Sequence, residues 1–358
     1  MDSLPLSQVV NSQPAGIGRI VSFGRRCAWN NLGRNVVFAD ALLRPLAIFG
    51  DTLFSEDDEA SQFDLDIHAI VELGDAGQIA VLNHLGSVRI FEPPRSPGPE
   101  LVVGPDLNEA RRLDFVEDVE RVVGLGDCLV TSRPRGQRLD GVLVTQPIAS
   151  SRQCLDADPA QESFGFVSAL AASSTPGGTG WVALGGEGRV RLVEADHGRL
   201  GTTRWEAAVD FVSGALVASG SSLWAAGSDL GGAGIDDYDW EQLRGGGLTQ
   251  LDLATGAVVA SARLGEDLAW GSGGVPLVVA DGVPCGVGRC GDLHALPPGA
   301  RVTTRLTREP TPRPLGIAHA AVVGRQLVFG FNRGGYQLHT VPLHTVSRLI
   351  RGLPARRV

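Results

Sequence analysis

Asp66, His68, Asp118, Glu120 and His319 are the donor types that a divalent metal or an acid–base pair would use. Imidazole and carboxylate together suit zinc, manganese or iron, provided the fold makes them converge. Asp66 and Asp118 are equally explained as residues that precede a strand and hydrogen-bond their own turn backbone. Cys285 and Cys290, a C-x4-C pair, can close a redox disulfide or contribute two metal ligands. Only Asp281, Asp292 and His294 lie nearby to complete a metal shell, and free thiols are the remaining alternative. The stretch from Ser228 to Gly246 combines Asp229, Asp236, Asp237, Asp239 and Glu241 with Ile235, Tyr238, Trp240 and Leu243. Aromatic anchors rimmed by charge describe a protein-binding element. Calcium is a weaker match, because the acids do not follow an Asp-x-Asp-x-Asp spacing. A loop folded back over the body would use the same residues. The chain has no G-x-S-x-G elbow, no H-E-x-x-H and no Walker lysine.

The formal charge of -9 over 358 residues argues against a general nucleic-acid or anionic-membrane binder, which would need a basic surface. All 31 basic residues are Arg, as a GC-rich coding sequence would produce. The start, Met1 to Ser7, shows no charged leader with an apolar core, and no apolar run reaches the roughly 18 residues of a spanning helix. A cytoplasmic location is therefore the expectation. Cysteines number 5, odd and scattered, which fits free thiols better than a disulfide framework.

The elements that would position these residues are short strands. Gly 48 and Pro 21 are too many turn formers for a helical protein. Phe63 to Asp75 returns 52 residues later as Phe115 to Asp127, an internal repeat. Gln78–Leu82 and Ser87–Phe91 flank Asn83-His84-Leu85-Gly86 as a hairpin, and the layout recurs around Gln326–Phe331, Asn332-Arg333-Gly334-Gly335 and Tyr336–Val341. A third hairpin is expected at Trp181–Leu184 and Arg189–Val193 around Gly185-Gly186-Glu187-Gly188, and a fourth from Ser222–Ala226 to Gly247–Leu253. Units at this spacing predict an all-β fold, a seven-bladed β-propeller with six blades as the alternative. Its blades fall near 17–60, 61–110, 111–160, 161–208, 209–265, 266–308 and 309–347. Ile17–Phe23 would be the outer strand that closes the ring between the N- and C-terminal ends. The expected organisation is a disordered N-terminal arm over 1–16, a single β-propeller domain over 17–347 and a basic C-terminal tail over 348–358.

The phrase from Gly247 to Val259, with Ala254-Thr255-Gly256 at its turn, resembles the strand-turn-strand unit of WD-repeat-like and quinoprotein-like bacterial propellers. The Gly-His and Trp-Asp marks of WD repeats and a recurring tryptophan-docking signature are missing, so the resemblance extends to architecture alone. In that architecture the first strand of each blade lines a central channel, which would bring Asp66, His68, Asp118, Glu120 and His319 to its mouth beside the Asn83 and Asn332 turns. Bacterial propellers also serve as client-recognition partners of AAA+ ATPase systems, so the resemblance admits an ATPase-containing assembly as the setting of a protein partner. The expected function is a non-enzymatic interaction platform without a cofactor, binding a protein through Asp229, Asp236, Asp237, Tyr238, Asp239, Trp240 and Glu241. A metal-assisted hydrolase, lactonase or lyase at the channel mouth is the alternative.

Overall fold

In the computed structural model, the described residues are 4–5, 11–14, 20–31, 35–49, 67–73, 78–83, 87–91, 102–103, 111–112, 121–132, 143–147, 164–165, 167–175, 178–229, 245–265, 277–288, 292–308, 316–332 and 336–352. They are strands apart from turns and one helix, Leu343–Gly352. Two compact units group them: Met1–Ala15 with Ala183–Leu192 and Arg204–Val358, and Gly16–Val182 with Val193–Thr203.

In the second unit, the repeated phrase forms the same element twice. Ile67–Leu73 pairs antiparallel with Gln78–Asn83, and Arg121–Leu125 pairs with Cys128–Ser132. The matched residues Leu73 and Leu125 both end their strands 2% exposed. Side chains alternate across a strand, so Ala69, Val71 and Leu73 share one face with Ala80, Leu82 and Val88, and that face packs on Leu129 of the next sheet. The expected hairpin between Gln78–Asn83 and Ser87–Phe91 is present.

In the first unit, three sheets follow the same rule. Trp224, Ala226 and Leu248 pack against Leu277 of the sheet built from Leu277–Ala280, Val283–Val287, Leu293–Ala295 and Thr304–Arg305, and against Leu296 just past its third strand. The alternate residues of that sheet, Val278, Ala280, Cys285, Val287, Leu293 and Ala295, pack on its other side against Leu327, Phe329 and Val341. A small sheet with two apolar sides can bury both only between two neighbours, which is how blades stack.

Three expectations change. Gly185-Gly186-Glu187-Gly188 is not a turn: Thr179–Asp196 is one continuous strand, and the reversal comes at His197 and Gly198, with φ of 46° and 76°. Both central residues have positive φ, as a type I′ hairpin requires. The strand added to Tyr336–Pro342 is Asn11–Pro14, inside the segment expected to be a loose arm, whereas Ile20–Phe23 pairs with Arg26–Asn31. The basic tail begins inside a helix, because Leu343–Gly352 docks Val346 and Ile350 on the core; residues 353–358 lie outside the described set. Cys285 lies within the strand Val283–Val287.

Candidate interaction site

The acidic-aromatic insertion departs from the strand Ser222–Asp229 and returns on Gly247–Asp252. These strands are antiparallel neighbours, and Gly227 faces Gly247 in register. The two ends of the insertion are therefore fixed on one rigid hairpin. Asp229 is exposed at the outgoing end, opposite Phe211. A Cβ on Gly245 would lie 3.3 Å from Asp229 Oδ2, so the carboxylate rests over the returning chain. Gly246 has φ +119°, and its carbonyl accepts the Leu264 N–H at 3.0 Å. The buried Phe211 ring occupies the space that a side chain at Gly247 would need. Asp236, Asp237, Tyr238, Asp239, Trp240 and Glu241 lie outside the described residues. The root was not anticipated as a site. The run Gly245-Gly246-Gly247 was its one visible signal, and the role of Phe211 depends on a contact 36 residues away in sequence.

The opposite end of the same hairpin carries the Ala254-Thr255-Gly256 turn. Asp252 Oδ1 accepts the N–H groups of Ala254 and Thr255 and the Thr255 hydroxyl, at 3.1, 2.9 and 2.8 Å. These donors hold the Asp252 carboxyl below its ordinary pKa. Trp205 packs under the turn, and its indole N–H donates to the Leu253 carbonyl at 3.1 Å. A Cβ on Gly256 would come within 2.6 Å of that ring. Replacing Trp205 with Phe keeps most of the packing and removes the hydrogen bond, so a loss of about 1 kcal/mol is expected in urea unfolding. An unchanged unfolding midpoint would show that the bond contributes nothing.

Of the channel-mouth candidates, Asp66, Asp118 and Glu120 lie outside the described residues. His68 and His319 fall at equivalent irregularities. The register of Ile67–Leu73 on its neighbour shifts between Ile67 and Ala69, and that of Gly316–Val323 shifts between Ile317 and Ala320. Each histidine thus sits in a bulge, where one strand has extra residues. Asn83 faces Ile67 and Asn332 faces Gly316, so each asparagine pairs with the first residue of the strand before it. The histidines belong to different units. Among the described residues, no three His, Cys, Asp or Glu side chains form a group that could hold a metal.

Cys285 is 1% exposed among apolar neighbours, and burial pushes its thiol up to about 12, which leaves it protonated and a poor nucleophile. Its thiol is free, and Cys290 lies outside the described residues. The other side of this sheet carries a polar row. His294 faces Gly286 on one neighbouring strand and Arg305 on the other, and Arg305 Nε lies 3.0 Å from the buried Asp292 Oδ2. Burial first, and the Arg305 charge second, push the His294 imidazole down to about 3.

Small antiparallel sheets that bury alternate sides against successive neighbours define the architecture of a β-propeller. The chain is similar to one such protein, the crystal structure of BamB from Moraxella catarrhalis, with a TM-score of 0.55 at 12% sequence identity, covering 93% of this chain and 97% of that one. No family model matches the sequence, and no curated protein matches it.

Proposed function

We propose that this protein is an interaction platform that binds a protein partner through the insertion 228–246. The supporting observation is the anchoring of that insertion: its two ends lie on paired strands, with Gly227 opposite Gly247 and Phe211 packed beneath. Such a base presents Tyr238, Trp240 and the acids with part of their ordering cost already met, which favours binding. The aromatic pair supplies the apolar anchors, while Asp236, Asp237, Asp239 and Glu241 steer a cationic partner. The likeness to BamB extends to nearly the whole of both chains, which supports treating the chain as a single propeller scaffold.

The same reading takes the propeller as seven-bladed. Arg199–Ser219 then serves as the outer strand of the fourth blade and the inner strand of the fifth, and Asn11–Pro14 completes the last blade on Tyr336–Pro342. Affinity purification from the native cell identifies the partner. Trp240→Ala or Tyr238→Ala is expected to weaken its binding by about 30-fold or more, the loss of one aromatic anchor of about 2 kcal/mol. Co-purification of every partner at wild-type level by both variants would overturn the proposal.

A further inference from the structure

The C-terminal helix presents a charged face that the core does not use. Leu343–Gly352 turns Val346 and Ile350 inward, 1% and 5% exposed, onto a cluster that includes Val278, Ala280, Cys285 and Phe329. Ser347 Oγ–H donates to Asp281 Oδ2 at 2.5 Å, which fixes the rotation of the helix about its axis. Residues four and then three apart share one side of a helix, so His344, Arg348 and Arg351 form a single stripe, and all three are exposed. Arg325 is also exposed, and its carbonyl accepts the Leu343 N–H at 2.9 Å, so it adds a fourth basic residue where the helix begins. Among the described residues none of these four side chains has an ion-pair partner, and the helix sequence LHTVSRLIRG contains no acid.

Intrinsic helix energetics do not account for the stripe. Arg351 in the last turn complements the helix dipole, but His344 and Arg348 gain little from it. Like charges at this spacing repel one another. Unpaired basic residues are thus concentrated on one face of a chain whose formal net charge is -9. A basic amphipathic helix commonly lies on a membrane surface, but that mode inserts the apolar face, and here the apolar face is buried in the core. What remains outside is a row of guanidinium groups, which pair with carboxylates in a two-pronged geometry.

We propose that Arg325, His344, Arg348 and Arg351 form a docking face for an acidic segment of a partner protein. The helical stripe from His344 to Arg351 rises about 10 Å, at about 1.5 Å per residue. That length suits a segment with carboxylates spaced over two helical turns or a few extended residues. The proposal stands whether or not the insertion 228–246 binds anything.

The test uses the full-length protein and a fluorescent Glu-rich peptide of about a dozen residues, followed by anisotropy. Binding at low salt that weakens about tenfold on raising NaCl from about 50 to 300 mM is expected for a pairing dominated by exposed charges. Arg348→Glu with Arg351→Glu should reduce affinity at least tenfold. Arg348→Lys with Arg351→Lys should keep most of the binding, and Arg25→Glu with Arg199→Glu, exposed arginines elsewhere, should leave it unchanged. If the charge reversal disturbs folding, as judged by circular dichroism, Arg348→Gln with Arg351→Gln replaces it with the same expected direction. Absence of peptide binding at low salt, or equal binding by the charge-reversed protein, would overturn the proposal. So would tighter binding to phosphatidylserine vesicles than to the peptide.

Discussion

Gly246→Ala is expected to destabilise the protein by about 4 kcal/mol and to remove the proposed binding by the insertion at the same time. Two independent costs combine. At φ +119° an alanine occupies a backbone region that L side chains rarely adopt, and its methyl group would overlap the Gly227 carbonyl, a backbone atom that cannot swing away. The overlap is relieved only by moving Ser222–Asp229 away from Gly247–Asp252, which breaks the Gly227–Gly247 pairing that holds the insertion. Urea unfolding gives the stability change, and a pull-down gives the loss of partner. Gly245→Ala is the informative control, since its added Cβ would meet the Asp229 carboxylate at 3.3 Å rather than a backbone atom. A smaller stability loss is expected there. If Gly246→Ala unfolds at the wild-type urea concentration, the root does not hold the insertion as described.

Acid should destabilise the protein well before general acid denaturation. An imidazole in the unfolded chain titrates near 6.5, whereas His294 in the folded chain titrates at about 3, because burial and then the Arg305 charge oppose its protonation. Between those values the unfolded chain binds the extra proton, so stability rises with pH across the window and is lost as the pH drops below about 6.5. From pH 6.5 to 4 the His294 contribution is on the order of 3 kcal/mol. His339, pushed down to about 4 by burial and stacked on Phe329 with ring centroids 5.4 Å apart, acts in the same direction. Among the described residues His294 Nε2 has no hydrogen-bond partner, so no acceptor at that nitrogen stabilises the imidazolium. Urea titrations at pH 7.5, 6, 5 and 4 should show His294→Gln losing less stability than wild type over this range. Parallel losses in the two proteins would remove His294 as the cause.

The elements that repeat were readable because their periodicity is carried by residues adjacent in sequence. Phe63 to Asp75 and Phe115 to Asp127 announced two copies of one strand and turn, and the described residues of both copies form the paired strand. The long strand Thr179–Asp196 was hidden because Gly185-Gly186-Glu187-Gly188 has the composition of a turn, while the actual turn, His197-Gly198, has only one glycine. Asn11–Pro14 was hidden for another reason. An outer strand is recruited through its backbone, so its side chains need show no alternation. At the helix, Leu343, Val346 and Ile350 recur at helical spacing, yet only the apolar cluster they meet makes the segment stable. The insertion could be located from composition, but its root could not. Phe211, Gly227 and Gly247 converge only after three strands have paired.

The sheet built on Leu277–Ala280 has oily residues on both sides, Leu277 toward one neighbour and Val278 toward the other. A slip of that first strand by one residue would therefore exchange one greasy surface for another, and the usual penalty against its misalignment would be small. Correct alignment must come from the reversal that starts the sheet, where Asp281 and Gly282 have φ of 51° and 76° and admit only the tight left-handed turn. The fidelity with which this blade assembles thus rests on two residues at its tip, and one of them, Asp281, is also the residue that clasps Ser347 of the terminal helix.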